Sequence, residues 1–294
     1  MFTMGRNHCS RCSGICNRLN QLLANENAAS ACAVNRLCYQ INFLHYVDSN
    51  WTETNLISML KLEHKLAGPS WSGICANRLP LVKVSSVFKP FIVNLFPKVY
   101  EWDWERALLK LAANKVIELS LPDYKGIDRI EPNEARDCIR NMKENERAAV
   151  IHYVGLVCQK DSARWQTCAL PLVEVTWPRE RIFITNIQTL AWVSLLENSG
   201  EHLPYLIQSL EWCLAPLSTQ NHWLYSFTRL RHNSKPIASQ YPEAILQLCS
   251  LLTPNDPRYL PYNLKEALEI IEQTQPELSI DKRFIKLTKL LEAI

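Results

Sequence analysis

The chain has 294 residues, long enough for one large domain, two compact ones or an elongated stack of helices. Its hydrophobic fraction of 47% and charged fraction of 21% sit in the ordinary globular range, so a substantial core can be buried. The 32 basic and 29 acidic residues leave a net charge of +3, which argues against nucleic acid or an anionic membrane as the main partner.

Only 7 glycines occur, far below the usual share of about 7%, and tight hairpins, nucleotide-binding loops and strand-rich folds all draw on glycine. Helices joined by short turns are expected instead. No run of about 20 uncharged apolar residues is present, and Met1 to Arg18 lacks the apolar core of a signal peptide. A cytoplasmic protein without a membrane span follows. The 11 cysteines, an odd number scattered along the chain, fit free, buried side chains in a reducing compartment better than a disulfide framework.

In chain order, residues 1–28 form a Cys-rich segment and 29–294 a helical, repeat-like domain. Val34, Leu37, Cys38, Ile41 and Leu44 follow the spacing of a helix with one buried face. Thr52 is placed to cap the next helix, with Trp51 and Leu56 as a hydrophobic staple, and Gly68-Pro69 to end it. Leu81 to Val84 could be a short strand, but Pro90 and Pro97 favour short helices over 80–100. Asp103 is the expected cap of a helix reaching about Lys115.

Pro132 suits the first position of another helix, followed by the stripe Val150, Ile151, Val154, Val157 and Cys158. Trp165, Cys168, Leu172 and Val175 continue through Pro171, where a kink is expected. Thr185 and Gln188 have capping-box spacing, and Gly200 lies where a C-cap glycine belongs. Pro204 and Pro242 sit near helix starts, and Asn263 with Glu266 repeats the cap pattern. Apolar stripes then run to Ile294. The fold class expected is all-α: an irregular α-solenoid or HEAT-like stack of roughly 13–15 helices.

The sharpest chemical feature is His8, Cys9, Cys12 and Cys16. Thiolates three and four positions apart beside an imidazole could supply zinc ligands, the one cofactor the sequence suggests. A structural zinc site normally draws a second ligand pair from another segment, and Cys32 and Cys38 have the wrong spacing. Positions 9, 12 and 16 also share one helical face, so a helix burying three cysteines explains them without metal.

No phosphate-binding glycine loop, His-Glu-x-x-His pair or Gly-x-Ser-x-Gly elbow is present, and no catalytic residue is assigned. Glu101, Asp103 and Glu105 alternate around Trp102 and Trp104, as in the charged start of a helix. His152 is read as a core residue. Trp165, Trp177, Trp192, Trp212 and Trp223 fall on or beside helical stripes and read first as core, with partner anchoring the alternative. Arg229, Arg231, His232 and Lys235 form the densest basic patch, which reads as a solvated loop.

Beyond periodicity, Leu121-Pro122-Asp123-Tyr124, Trp165, Pro171 and Trp177-Pro178-Arg179 resemble the helical C-terminal region of large bacterial anti-phage defence proteins. The likeness continues through Leu203-Pro204, Trp212, Tyr241-Pro242-Glu243-Ala244, Leu264 to Ile271 and Pro276-Glu277-Leu278, and upstream in Asn42-Phe43-Leu44 and Trp51 to Leu56. Those proteins carry a sirtuin-like or nucleotide-hydrolysing effector module, and the helical region is regarded as a sensing or scaffolding solenoid. No such module is recognised within these 294 residues. The resemblance therefore implies a detached or truncated form, or a scaffold whose protein partner is a separately encoded effector. The function expected is a non-enzymatic helical scaffold or sensor that binds another protein, with a small zinc-binding protein as the alternative.

Overall fold

The computed structural model describes residues 10–25, 27–77, 85–121, 128–218, 222–230 and 235–293. Every regular element among them is helical, and none is a strand. None of these helices is long and apolar enough to cross a membrane. The chain divides into two compact units, Met1–Met142 and Lys143–Ile294.

The first unit holds α1 (Ser10–Ala24), α2 (Ala28–Tyr39), α3 (Ile41–Val47), α4 (Ser49–Asn55), α5 (Ala67–Ala76), α6 (Ser85–Val93), α7 (Arg106–Ser120) and α8 (Pro132–Asn141). The stripe from Val34 to Leu44 spans two helices, because the chain breaks at Gln40 (φ −97°, ψ 15°). The cap of α4 is Asp48, whose Oδ1 accepts from the Trp51 N–H at 2.9 Å. Thr52 lies one turn inside, buried, with its hydroxyl donating to the Asp48 carbonyl at 2.8 Å, so the expected cap is displaced by four residues.

Gly68 and Pro69 open α5 instead of closing the preceding helix, since proline is tolerated in a first turn where its missing N–H has no partner to lose. The Trp71 indole fills the centre of this unit, 5.3 Å from the Phe88 ring, and donates to the Leu60 carbonyl at 3.0 Å. Leu81 to Val84 lie outside the described residues. Pro132 does open α8, where Glu131 and Glu134 form a reciprocal capping box.

The second unit holds α9 (Glu144–Cys158), α10 (Asn186–Leu196), α11 (Leu203–Leu210), α12 (Tyr225–Thr228), α13 (Ile237–Gln240), α14 (Pro242–Leu252), α15 (Leu264–Thr274) and α16 (Lys282–Glu292). The described helices slightly exceed the expected number because α12 and α13 are single turns of four residues. α9 lies along α10, and α14, α15 and α16 pack on one another.

Between α9 and α10 the chain makes two π-helical turns, Trp165–Ala169 and Leu172–Thr176, separated by Pro171. The extra residue per turn absorbs the hydrogen bond that proline cannot make, where a simple kink was expected; the Trp177 N–H reaches back to the Leu172 carbonyl at 2.6 Å. Thr185 caps α10 through the Gln188 N–H at 3.4 Å, and Gly200 takes a left-handed φ of 56°. Asn263 donates to the Glu266 carboxylate at 2.6 Å and makes no side-chain bond to the helix backbone. Trp177 and Trp192 meet edge to face at 4.9 Å in the core.

Candidate functional site

A groove of about 630 Å3 in the first unit lies between α2, the start of α5 and the segment leading into α7. One close approach sets the spacing of the two helices that border it. α2 and α5 pack so tightly at Gly73 that a Cβ there would overlap the Asn35 carbonyl oxygen and stand 2.9 Å from the Cys38 Cβ. Asn35 reinforces the contact by donating from Nδ2 to the Pro69 carbonyl at 3.3 Å. This fixes α2 so that Cys32, Asn35 and Arg36 face the groove.

The opposite wall comes from Asp103, Trp104 and Glu105. α7 begins at Arg106, three residues after the expected cap, so these three residues stand before the helix and not in its first turn. Trp104 is half-buried, with its ring 6.0 Å from Trp71 and its Nε1 over Gly68, where a methyl group would just touch it at 3.7 Å. Asp103 and Glu105 flank it, both exposed, and neither has an ion-pair partner among the described residues. Arg36 also lines the groove, with its guanidinium carbon 5.1 Å from the centre of the Tyr39 ring.

A groove lined by an indole ring, two carboxylates without ion-pair partners and one guanidinium suits a polar segment that carries a cation beside an apolar or amide group. No histidine lines the groove, and Cys32 therefore has no neighbouring base there.

One contact elsewhere resembles a hydrolytic pair. Ser162 Oγ is 3.1 Å from His202 Nε2, and Glu201 Oε1 is 3.8 Å from that same nitrogen. A triad needs its acid on the other ring nitrogen, so that the histidine can take the serine proton while being held by the carboxylate. The geometry does not provide this.

The second unit carries a groove of about 590 Å3 between α11 and α14, edged by Tyr205, Gln208, Glu211, Tyr241, Glu243 and Gln247. Gln247 donates to the Glu211 carboxylate across it at 3.5 Å.

The sequence candidates fare differently. His8 and Cys9 lie outside the described residues, and of Cys12 and Cys16 only the backbone, on α1, is described. Among the described residues no group of three or more His, Cys, Asp or Glu side chains is placed to hold a metal. Asp103 and Glu105 reach the groove, whereas Glu101 and Trp102 do not line it. His152, read as a core residue, is exposed on α9. Trp165, Trp177, Trp192 and Trp223 are buried; Trp212 is only partly so and carries Arg179 over its ring at 4.5 Å. Arg229 stacks on Tyr225 at 3.6 Å, while Arg231 and His232 lie outside the described residues. The contribution of Cys32, Asn35 and Arg36 was missed; among the described glycines, Gly73 is the one at which a Cβ would run into another helix.

No protein-family model matches the chain, and no solved structure matches it. Over 179 residues it is 23% identical to "Uncharacterized protein y4cA" of Sinorhizobium fredii (strain NBRC 101917 / NGR234). The aligned region covers 59% of this chain but only 15% of that protein's length, so the chain is similar to one part of a much longer polypeptide.

Proposed function

We propose that the protein is a non-enzymatic, cytoplasmic helical scaffold or sensor that binds a segment of another protein in the groove between α2, α5 and the start of α7. The observation that carries this reading is that Trp104 lines one groove together with the unpaired carboxylates Asp103 and Glu105 and with Arg36. Aromatic anchors with polar groups around them are the usual energetic centre of protein recognition. An irregular HEAT-like arrangement suits the role, because consecutive helices that pack on one another leave an outer surface free to vary. On the resemblance described above, the setting is prokaryotic anti-phage defence, with a separately encoded effector as the partner.

The test has two arms. Panning a displayed peptide library against the whole chain should enrich sequences with lysine or arginine beside an apolar residue. That enrichment should vanish for Asp103→Asn/Glu105→Gln and fall sharply for Trp104→Ala. Co-expression with the product of the neighbouring gene should give a complex weakened by the same substitutions. Equal enrichment by the double variant and the unaltered chain would refute the assignment of the groove.

A further inference from the structure

We infer that the C-terminal helices carry a self-complementary, head-to-tail interface, so that one copy of this chain binds the next. The inference concerns α15 and α16 alone and does not depend on the groove of the first unit.

α16 presents two grooves of nearly equal size on different faces. One, of about 440 Å3, is lined by Lys282, Ile285, Lys286, Lys289 and Leu290. The first four of these recur at i, i+3, i+4 and i+7, the spacing of a single helical face. The other groove, of about 420 Å3, runs between α15 and α16; Phe284, Thr288 and Leu291 of α16 share it with Leu268 of α15.

The charges on the two faces are opposite. The first groove has three lysines and no carboxylate. None of those lysines has an ion-pair partner among the described residues. The second has Glu269, Glu272 and Glu292 against a single lysine, Lys265, which pairs with Glu269 at 3.9 Å. Within one copy the basic face keeps its lysines three and four residues apart, and the acidic face keeps Glu269 and Glu272 three apart, spacings at which like charges destabilise a helix.

Both faces also expose apolar surface. Ile285 is 40% exposed between lysines, and Leu291 is half-buried between glutamates. Covering either face is favourable only when the cover brings the opposite charge, because like charges across an interface repel and burial strengthens the repulsion. The acidic groove of the same two helices supplies what the basic groove needs, three carboxylates beside the half-buried Leu291. Because the two faces differ, the contact is heterologous: each copy uses its basic face on one neighbour and its acidic face on the other. Such a contact propagates into a ring or a filament.

Sedimentation and light scattering of the full chain over a concentration series should show association that weakens at least about tenfold between about 0.05 and about 0.5 M salt. Lys282→Glu/Lys286→Glu/Lys289→Glu should abolish it, and so should Glu269→Lys/Glu272→Lys/Glu292→Lys. Mixing the two variants should restore it, since every face then meets an opposite charge. Circular dichroism checks that each variant keeps its helices. Should either fail to fold, the milder Lys282→Gln/Lys286→Gln/Lys289→Gln and the salt series decide instead. A chain that stays monomeric at low salt overturns the inference, as does unchanged association of the glutamine variant. Monomeric chain that binds anionic vesicles through the three lysines also overturns it, by making the basic face a lipid surface.

Discussion

The Lys115 ammonium donates to the Glu118 carboxylate over 2.6 Å at a place where the lysine side chain is 3% exposed, and it also donates to the Asn77 carbonyl at 2.9 Å. A charge so deeply placed is held by its partners and by nothing else. Burial nevertheless outweighs the pull of Lys115 on Glu118 and keeps that carboxyl above the ordinary carboxylate range.

Lys115→Met should therefore cost about 3 kcal/mol in urea unfolding, because it strands both a part-buried carboxylate and a backbone acceptor. The deficit should shrink as pH falls, since a carboxyl with a raised folded-state pKa is stabilised by taking up a proton. Lys115→Met/Glu118→Leu should be less damaging than Lys115→Met alone. A double variant equal to the sum of the singles would show that the pair is not coupled.

Two glycines make a contrasting pair. Gly73→Ala gains about 1 kcal/mol of helix propensity but forces a methyl group into the backbone of α2, which cannot swing aside; a net loss of about 2 kcal/mol is expected. At Gly155 the same change meets only Leu195 at ordinary contact distance, 3.9 Å, so it should stabilise by about 0.5 to 1 kcal/mol. Thermal unfolding of the two variants should move in opposite directions.

Gln188 is fully buried, and with its amide oxygen turned toward Arg147 it accepts from Nε at 2.6 Å and from a terminal nitrogen at 3.3 Å. Gln188→Leu keeps the size and removes the acceptor beside a buried guanidinium. A loss of about 2 kcal/mol is expected in chemical denaturation. Loss below a few tenths would mean that Arg147 is satisfied without it.

The cysteines predict both reactivity and pH dependence. Burial pushes the thiols of Cys38, Cys75, Cys138, Cys158, Cys213 and Cys249 up to about 12, while Cys32 is exposed. Peptide mapping after brief alkylation of native protein should find Cys32 modified and those six protected. Their folded-state values lie above the ordinary 9.0, so the stability they confer is intact below about pH 9 and drains away toward pH 12, as only the unfolded chain ionises. A denaturant midpoint that is flat across that window would contradict the burial of these groups.

Much of the helical frame was legible because its signals are local. Pro132, Pro204 and Pro242 open or nearly open helices, Thr185 caps one, and the stripe from Val150 to Cys158 is buried as its period requires. The errors were local too. Asp48 and Thr52 stand one turn apart, and either could serve as a cap; Asp48 wins because its carboxylate reaches the Trp51 N–H while Thr52 is drawn into the core. The acids around Trp104 were visible, but their role was not. Asp103 and Glu105 became groove residues only because α7 starts after them, opposite an α2 whose position Gly73 sets.

The amino-acid sequence by itself determined that this chain is helical, where most of its helices run and which stripes they bury, since hydrogen bonds four residues apart and a period near 3.6 need no distant partner. The tertiary structure decided which helices press together, which thiol among the described cysteines stays in solvent, and that α16 offers a basic face and an acidic one. Those outcomes depend on packing between residues tens of positions apart, where the backbone oxygen at Asn35 and the absent side chain at Gly73 matter as a pair that neither position reveals alone.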